Sequence, residues 1–179
     1  MSIRAGLVSF FLRRTIKKQM ADLDDPVMLR EKLSRAITRL PDNVRSDKIE
    51  VRGVPANWVY QENSDSRRVV LYLHGGGYVF GGYGSHGEIA SKMASLINGK
   101  TLLLEYSLAP ENPFPAAIED ALIAYRWLLE GGTNASDIVL AGDSAGGGLS
   151  VALLLQLKRA GLGLPRAVCL FSPWVDLTC

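Results

Sequence analysis

A serine framed by small residues, Gly142-Asp143-Ser144-Ala145-Gly146, lies between a short apolar run ending at Ala141 and a stretch with helical spacing. The pattern G-x-S-x-G at a strand-to-helix junction suits a nucleophile elbow, a tight turn that lifts a serine hydroxyl above a sheet. Glycines at 142 and 146 leave room for the backbones that crowd such a turn. The chemistry would be acyl transfer, with Ser144 attacking a carbonyl carbon. Alone, the five residues also fit a plain turn or a phosphate loop. No lysine follows as in G-x-x-x-x-G-K-[ST], and the spacing fails G-x-G-x-x-G, which sets nucleotide binding aside.

A second run, His74-Gly75-Gly76-Gly77, follows directly on the apolar stretch Val69 to Leu73. Attack on an ester carbonyl builds negative charge on its oxygen, and backbone N–H groups reach that oxygen only where side chains do not block them. The expected donors are Gly75, Gly76 and Gly77 together with Ala145 at the start of the following helix. One such donor is worth roughly 10²–10³ in rate. His74 is expected to brace the loop. In this arrangement the acid and then the histidine follow the serine in the chain. Only Asp176 follows Ser144 as an acid, and the chain's two histidines, His74 and His86, both precede it. Without an imidazole in reach a serine hydroxyl is a poor nucleophile.

These residues need a scaffold, and the apolar pattern supplies one. Val69 to Leu73, Thr101 to Glu105, Ile138 to Ala141 and Ala167 to Phe171 are short runs bounded by glycine, proline or polar residues, and read as buried strands. Between them Ile89, Met93 and Leu96 mark one helix, Ile118, Leu122, Tyr125 and Leu129 a second, and Val151 to Ala160 most of a third. Such alternation predicts an α/β fold, a mainly parallel sheet with helices on both faces. From Lys48 to Tyr60 the pattern is of short extended pieces broken by Gly53 and Pro55, followed by a polar turn at Asn63 to Ser66. Near the start, Leu7, Val8, Phe11, Leu12 and Ile16 share one face of an amphipathic helix, and Asp25-Pro26 opens a second that Pro41 stops. The division expected is a helical cap over 1–45 and a core over 46–179.

The 179 residues allow one domain with a sizeable core. A hydrophobic fraction of 47% with 21% charged residues argues against disorder. Net charge is +2, too small for a nucleic-acid binder, although twelve of the twenty Lys and Arg lie before Val54. Cys169 and Cys179 have no metal-ligand spacing and make no disulfide framework, so a reducing cytoplasm is expected. The apolar stretch Ala5 to Leu12 lacks a cleavage site, and no run approaches a membrane span.

With both motifs in order, the chain resembles the hormone-sensitive-lipase type of carboxylesterase on the α/β-hydrolase fold, from about Val51 onward. Three further stretches look like that family: Tyr78-Val79-Phe80-Gly81-Gly82, the run from Tyr106 to Ala117 with Glu119-Asp120, and Ser172 to Thr178. The resemblance implies esters with short to medium acyl chains as substrates, an N-terminal helical lid, and no cofactor or metal. It also implies that only the N-terminal portion of such a fold is present, with C-terminal strands and the triad acid and base lying beyond residue 179. His86 then corresponds to a turn near the lid and Asp176 to a motif position other than the triad acid, so neither missing role is assigned. Tyr78, Phe80, Tyr83 and Trp174 lie near the implied pocket or serve ordinary packing. Glu111 and Asp120 are expected to brace backbone and cap the helix after Pro115. If Ala167 to Phe171 is the last strand, its outer edge is unpaired, and a homo-oligomer or a complementing chain would cover it. Two other readings stay open: a non-catalytic small-molecule binder on the same fold, and a membrane-surface module using the basic N-terminal helix.

Overall fold

The computed structural model describes Arg30 and residues 38–178. The amphipathic helix from Leu7 to Ile16, nearly all of the helix after Pro26, and Cys179 lie outside the described residues. Six strands form one sheet: β1 (Val44–Val51), β2 (Val54–Gln61), β3 (Val69–Leu73), β4 (Lys100–Leu104), β5 (Ile138–Asp143) and β6 (Ala167–Phe171). Three helices join the later strands: α1 (Tyr83–Ile97), α2 (Ala116–Glu130) and α3 (Ser144–Arg159). The spatial order is β1-β2-β4-β3-β5-β6, with β1 and β2 antiparallel and β4, β3, β5 and β6 mutually parallel. The sheet begins at Val44, two residues before the expected core boundary.

Period-two alternation divides each strand between two cores. Val69, Leu71 and Leu73 join Leu102, Leu104, Ile138 and Leu140 under Tyr125 and Leu128 of α2 and Leu149, Leu153 and Leu157 of α3. Val70 and Tyr72 face the other way, with Val59, Leu103 and Ala90 of α1. Both faces are covered, so β3 is buried at every residue and reads as an unbroken apolar run. In α1 the inward stripe is Ile89, Met93 and Ile97, whereas Leu96, expected on that face, is 80% exposed.

The segment expected as broken pieces is a hairpin of two eight-residue strands. Arg52 and Gly53 both have positive φ, the two-residue turn whose twist matches the flanking strands, so Gly53 makes the hairpin rather than interrupting it. Pro55 sits beside the turn at the second position of β2, paired with Glu50. Glu105, expected within β4, lies just past its end and turns its carboxylate to the Tyr83 N–H, 2.5 Å away, at the start of α1.

The connections fix where a site can form. From β3 the chain crosses through α1 to β4 on one side, and from β5 it crosses through α3 to β6 on the other. The carboxyl ends of β3 and β5 therefore border a crevice at the point where strand order reverses, the usual ligand position in open α/β sheets. Both sequence motifs stand there.

Candidate active site

Ser144 is the first residue of α3 and has φ +50, a left-handed backbone that a non-glycine residue adopts at a cost. β3 and β5 pair in parallel with Leu73 opposite Gly142, so the residues leaving each strand, His74-Gly75 and Asp143-Ser144, emerge side by side. The glycines at the elbow are required by contact. A Cβ on Gly146 would fall 2.0 Å from the Leu73 carbonyl oxygen and 2.4 Å from that of His74, and one on Gly142 would fall 2.5 Å from the Gly146 oxygen. The Trp174 N–H donates to the Ser144 carbonyl at 2.8 Å, pinning the 173–177 segment against the elbow.

The residue before the serine organises the crevice. Asp143 occupies the N-cap position of α3 but makes no side-chain cap bond. Its Oδ1 instead accepts the Tyr72 O–H at 2.9 Å and the Gly75 N–H at 2.9 Å, with His86 Nε2 at 3.4 Å. Burial raises the carboxyl pKa, but the hydrogen bonds and charge of His86, then Tyr72 and Gly75, outweigh it and hold the group below its ordinary value. Asp143 is therefore ionised at neutral pH. The Gly75 N–H is thus engaged, and its bond points into the protein. Neither the Gly76 nor the Gly77 N–H donates to a protein acceptor among the described residues. Both glycines have positive φ, 129° and 61°. With the Asp143 side chain turned away, the first-turn N–H groups of α3 also lack a side-chain cap, and the positive end of the helix faces the crevice.

His74 is fully buried, stacked on Tyr106 with ring centroids 4.2 Å apart, and its Nδ1 meets the Gly75 carbonyl at 2.9 Å. The Tyr106 hydroxyl donates to the His74 carbonyl at 2.6 Å. Burial lowers the imidazole pKa to about 4, so the ring is neutral and acts as a packing piece beneath the loop. His86 is occupied by Asp143 at one ring nitrogen and by Ser85 Oγ, 2.7 Å away, at the other. Asp176 accepts the Thr178 N–H and O–H at 3.0 and 2.6 Å. Asp120 braces backbone, accepting the Ser107 N–H at 2.7 Å, and Glu111 pairs with Arg30 at 2.9 Å. Neither caps α2, whose N-cap is Pro115 without a side-chain bond.

An apolar groove of about 460 Å³ starts one helical turn from Ser144 at Gly148, between Tyr78 and Trp174, and runs past Ile118 and Leu155. Tyr78 and Trp174 lie 6.3 Å apart at its mouth. Tyr83 instead lines a separate cavity with Lys48, Asn57 and Glu105, and Phe80 lies behind the glycine loop, its carbonyl 1.9 Å from where a Gly76 Cβ would stand. Among the described residues no group of His, Cys, Asp or Glu is arranged to hold a metal ion, and no helix is long and apolar enough to cross a membrane. Sequence reasoning did not find the cluster of Tyr72, Asp143 and His86. Its one available sign was a hydroxyl-bearing residue inside the run Val69 to Leu73.

Residues 70–179 match the family described as alpha/beta hydrolase fold. The chain is 47% identical over 133 residues to an acetyl-hydrolase of Streptomyces hygroscopicus, covering 74% of this chain and 44% of that protein. It is 32% identical over 155 residues to an esterase of Acinetobacter venetianus, covering 86% and 51%. The crystal structure of an esterase from the bacterial hormone-sensitive lipase family superposes with a TM-score of 0.79 at 45% identity, over 86% of this chain and 52% of that one. The chain thus spans about half the length of these relatives. With the elbow, the glycine loop and the sheet order in agreement, the chain belongs to the α/β-hydrolase-fold family, in its hormone-sensitive-lipase branch.

Proposed function

We propose that this chain carries the nucleophile and oxyanion half of a serine carboxylesterase acting on small esters with short to medium acyl chains. One observation carries the reading: Ser144 heads α3 with φ +50, beside a glycine loop with two N–H groups that no described residue engages. The acetyl-hydrolase and esterase relatives support the substrate class, and the apolar groove beside Trp174 suits an acyl or alcohol chain.

In the reaction the Ser144 oxygen bonds to the ester carbonyl carbon as its proton passes to an imidazole. The carbonyl oxygen becomes an oxyanion that accepts N–H groups from Gly76, Gly77 and Ala145. Gly75 belongs to the loop but holds its position through Asp143. The tetrahedral adduct collapses, the C–O bond to the alcohol breaks, and the alcohol leaves with the proton, giving an ester on Ser144 that water hydrolyses by the reverse sequence. His74 is buried and His86 is held by Asp143 and Ser85, so the base is a histidine that these 179 residues do not contain, in a longer protein or a complementing chain. A cytoplasmic setting belongs to the same proposal.

The test is hydrolysis of p-nitrophenyl acetate and butyrate by this chain and by its Ser144→Ala variant. Turnover that disappears with Ser144→Ala supports the reading. Turnover equal in both proteins sinks it. Absence of turnover in both, persisting after a chain containing a later histidine is supplied, points to a small-molecule binder.

A further inference from the structure

The residue between glycine and serine in the elbow pattern is nominally free, yet here its side chain is the most connected in the crevice. One oxygen of Asp143, Oδ1, collects the Tyr72 hydroxyl from β3, the Gly75 N–H from the glycine loop and the His86 imidazole from α1. The other oxygen lies 2.2 Å from where a Gly75 Cβ would stand, so only glycine at 75 lets the carboxylate approach. An ordinary N-cap role is absent, because the side chain makes no bond to the helix it precedes.

We propose that Asp143, backed by Tyr72 and His86, is a positioning residue that ties the elbow to the glycine loop and aims the Gly76 and Gly77 N–H groups at the oxygen bound beside Ser144. The loop needs such a tie. Its two outward donors have positive φ, and its visible internal bonds run from the Val79 and Phe80 N–H groups back to the Gly76 carbonyl, which fix the loop to itself and not to the serine. The Asp143 to Gly75 bond joins the two motifs directly, and its acceptor is charged, the stronger class. His86 is the third partner of that oxygen, with its Nε2 3.4 Å away. Facing it are Tyr72 of β3, His74 of the loop, Glu105 at the end of β4 and Asp143 at the elbow. Ser85 Oγ, 2.7 Å from its Nδ1, can donate to the neutral ring or accept from the protonated one.

The proposal rests on the acyl-transfer reading of Ser144 for its purpose, but the tie can be tested without turnover. Amide hydrogen exchange and proton–nitrogen correlation spectra would be recorded on the full chain and on Asp143→Asn, Tyr72→Phe and His86→Gln. Asp143→Asn is expected to speed exchange of the Gly75 amide about tenfold, the difference between a charged and a neutral acceptor, and to move the Gly76 and Gly77 resonances. Amides of β4 such as Leu102 stay unchanged, which general destabilisation would not allow. Where Ser144-dependent turnover is present, Asp143→Asn lowers kcat with KM unchanged. Folded variants with wild-type exchange at Gly75 and unmoved Gly76 and Gly77 resonances overturn the proposal. Should Asp143→Asn fail to fold, Tyr72→Phe and His86→Gln decide by the same two readouts. Turnover that stays absent when a chain containing a later histidine is supplied counts against the Ser144 reading alone.

Discussion

Replacing Gly146 by alanine sets two opposed effects against each other. In the first turn of α3, where Gly146 lies, alanine is favoured over glycine by at most about 1 kcal/mol of helix propensity. Against this, the added Cβ would lie 2.0 Å from the Leu73 carbonyl oxygen, where an ordinary contact begins at 3.4 Å, so 1.4 Å of separation must be found. It must be found between backbones, since the other close atoms are the His74 carbonyl oxygen at 2.4 Å and the Leu73 carbonyl carbon at 2.5 Å. β3 lies in the middle of the sheet, buried along its whole length and paired on both sides, so it has nowhere to move. Overpacking of this kind costs about 1–3 kcal/mol even where side chains can give, and this site belongs at the upper end. Net destabilisation is then about 2 kcal/mol, or a fall in Tm of roughly 4–8 °C for a chain of this size. Misplacement on the order of 1 Å at the serine also costs about 10² in rate. Gly147→Ala is the milder comparison: its Cβ would meet the Pro173 Cα at 2.8 Å, an overlap of about 0.6 Å against 1.4 Å, and its Tm is expected to fall by less than that of Gly146→Ala. Thermal unfolding followed by circular dichroism decides. A Gly146→Ala protein melting at or above the wild type would refute the packing account and leave propensity the winner.

Two further predictions follow from the described residues. Burial lowers the His74 pKa from 6.5 to about 4, so the folded state favours the neutral ring. The stability this gives is fully present above pH 6.5 and is lost as pH falls towards 4, by about 3 kcal/mol in all, and His74→Gln should flatten Tm against pH in that window. A slope unchanged by His74→Gln would show that carboxylates alone drive the acid loss. At the sheet edge, β6 has no outer partner among the described residues, and Phe171, Val175 and Leu177 are 40%, 64% and 62% exposed. The chain is expected to sediment as species heavier than its 19.5 kDa, and Phe171→Lys to reduce them. A concentration-independent monomer in sedimentation velocity would remove the case for a covering partner.

What could be read from the residues alone divides along a physical line. β3 and β6 were legible to the residue because a short apolar run bounded by turn formers has few other uses, and the two glycine motifs were legible because their chemistry tolerates no side chain. The β1–β2 hairpin was obscured by its own turn: Gly53 and Pro55 look like breakers until the positive φ of Arg52 and Gly53 shows one closing the hairpin and the other tolerated beside it. Local pattern also overreached, since the stripe of α1 continues to Ile97 and leaves Leu96 in solvent. The Asp143 cluster was beyond reach for a different reason. Its bonds span 71 residues to Tyr72 and 68 to Gly75, and they exist only because β3 and β5 are neighbours. Alternating strands and helices predict a parallel sheet but not its order, and it is the order β4-β3-β5 that sets the elbow beside the glycine loop. A motif therefore announces which atoms can react, while the residue it leaves blank, here Asp143, records how the fold holds them in register.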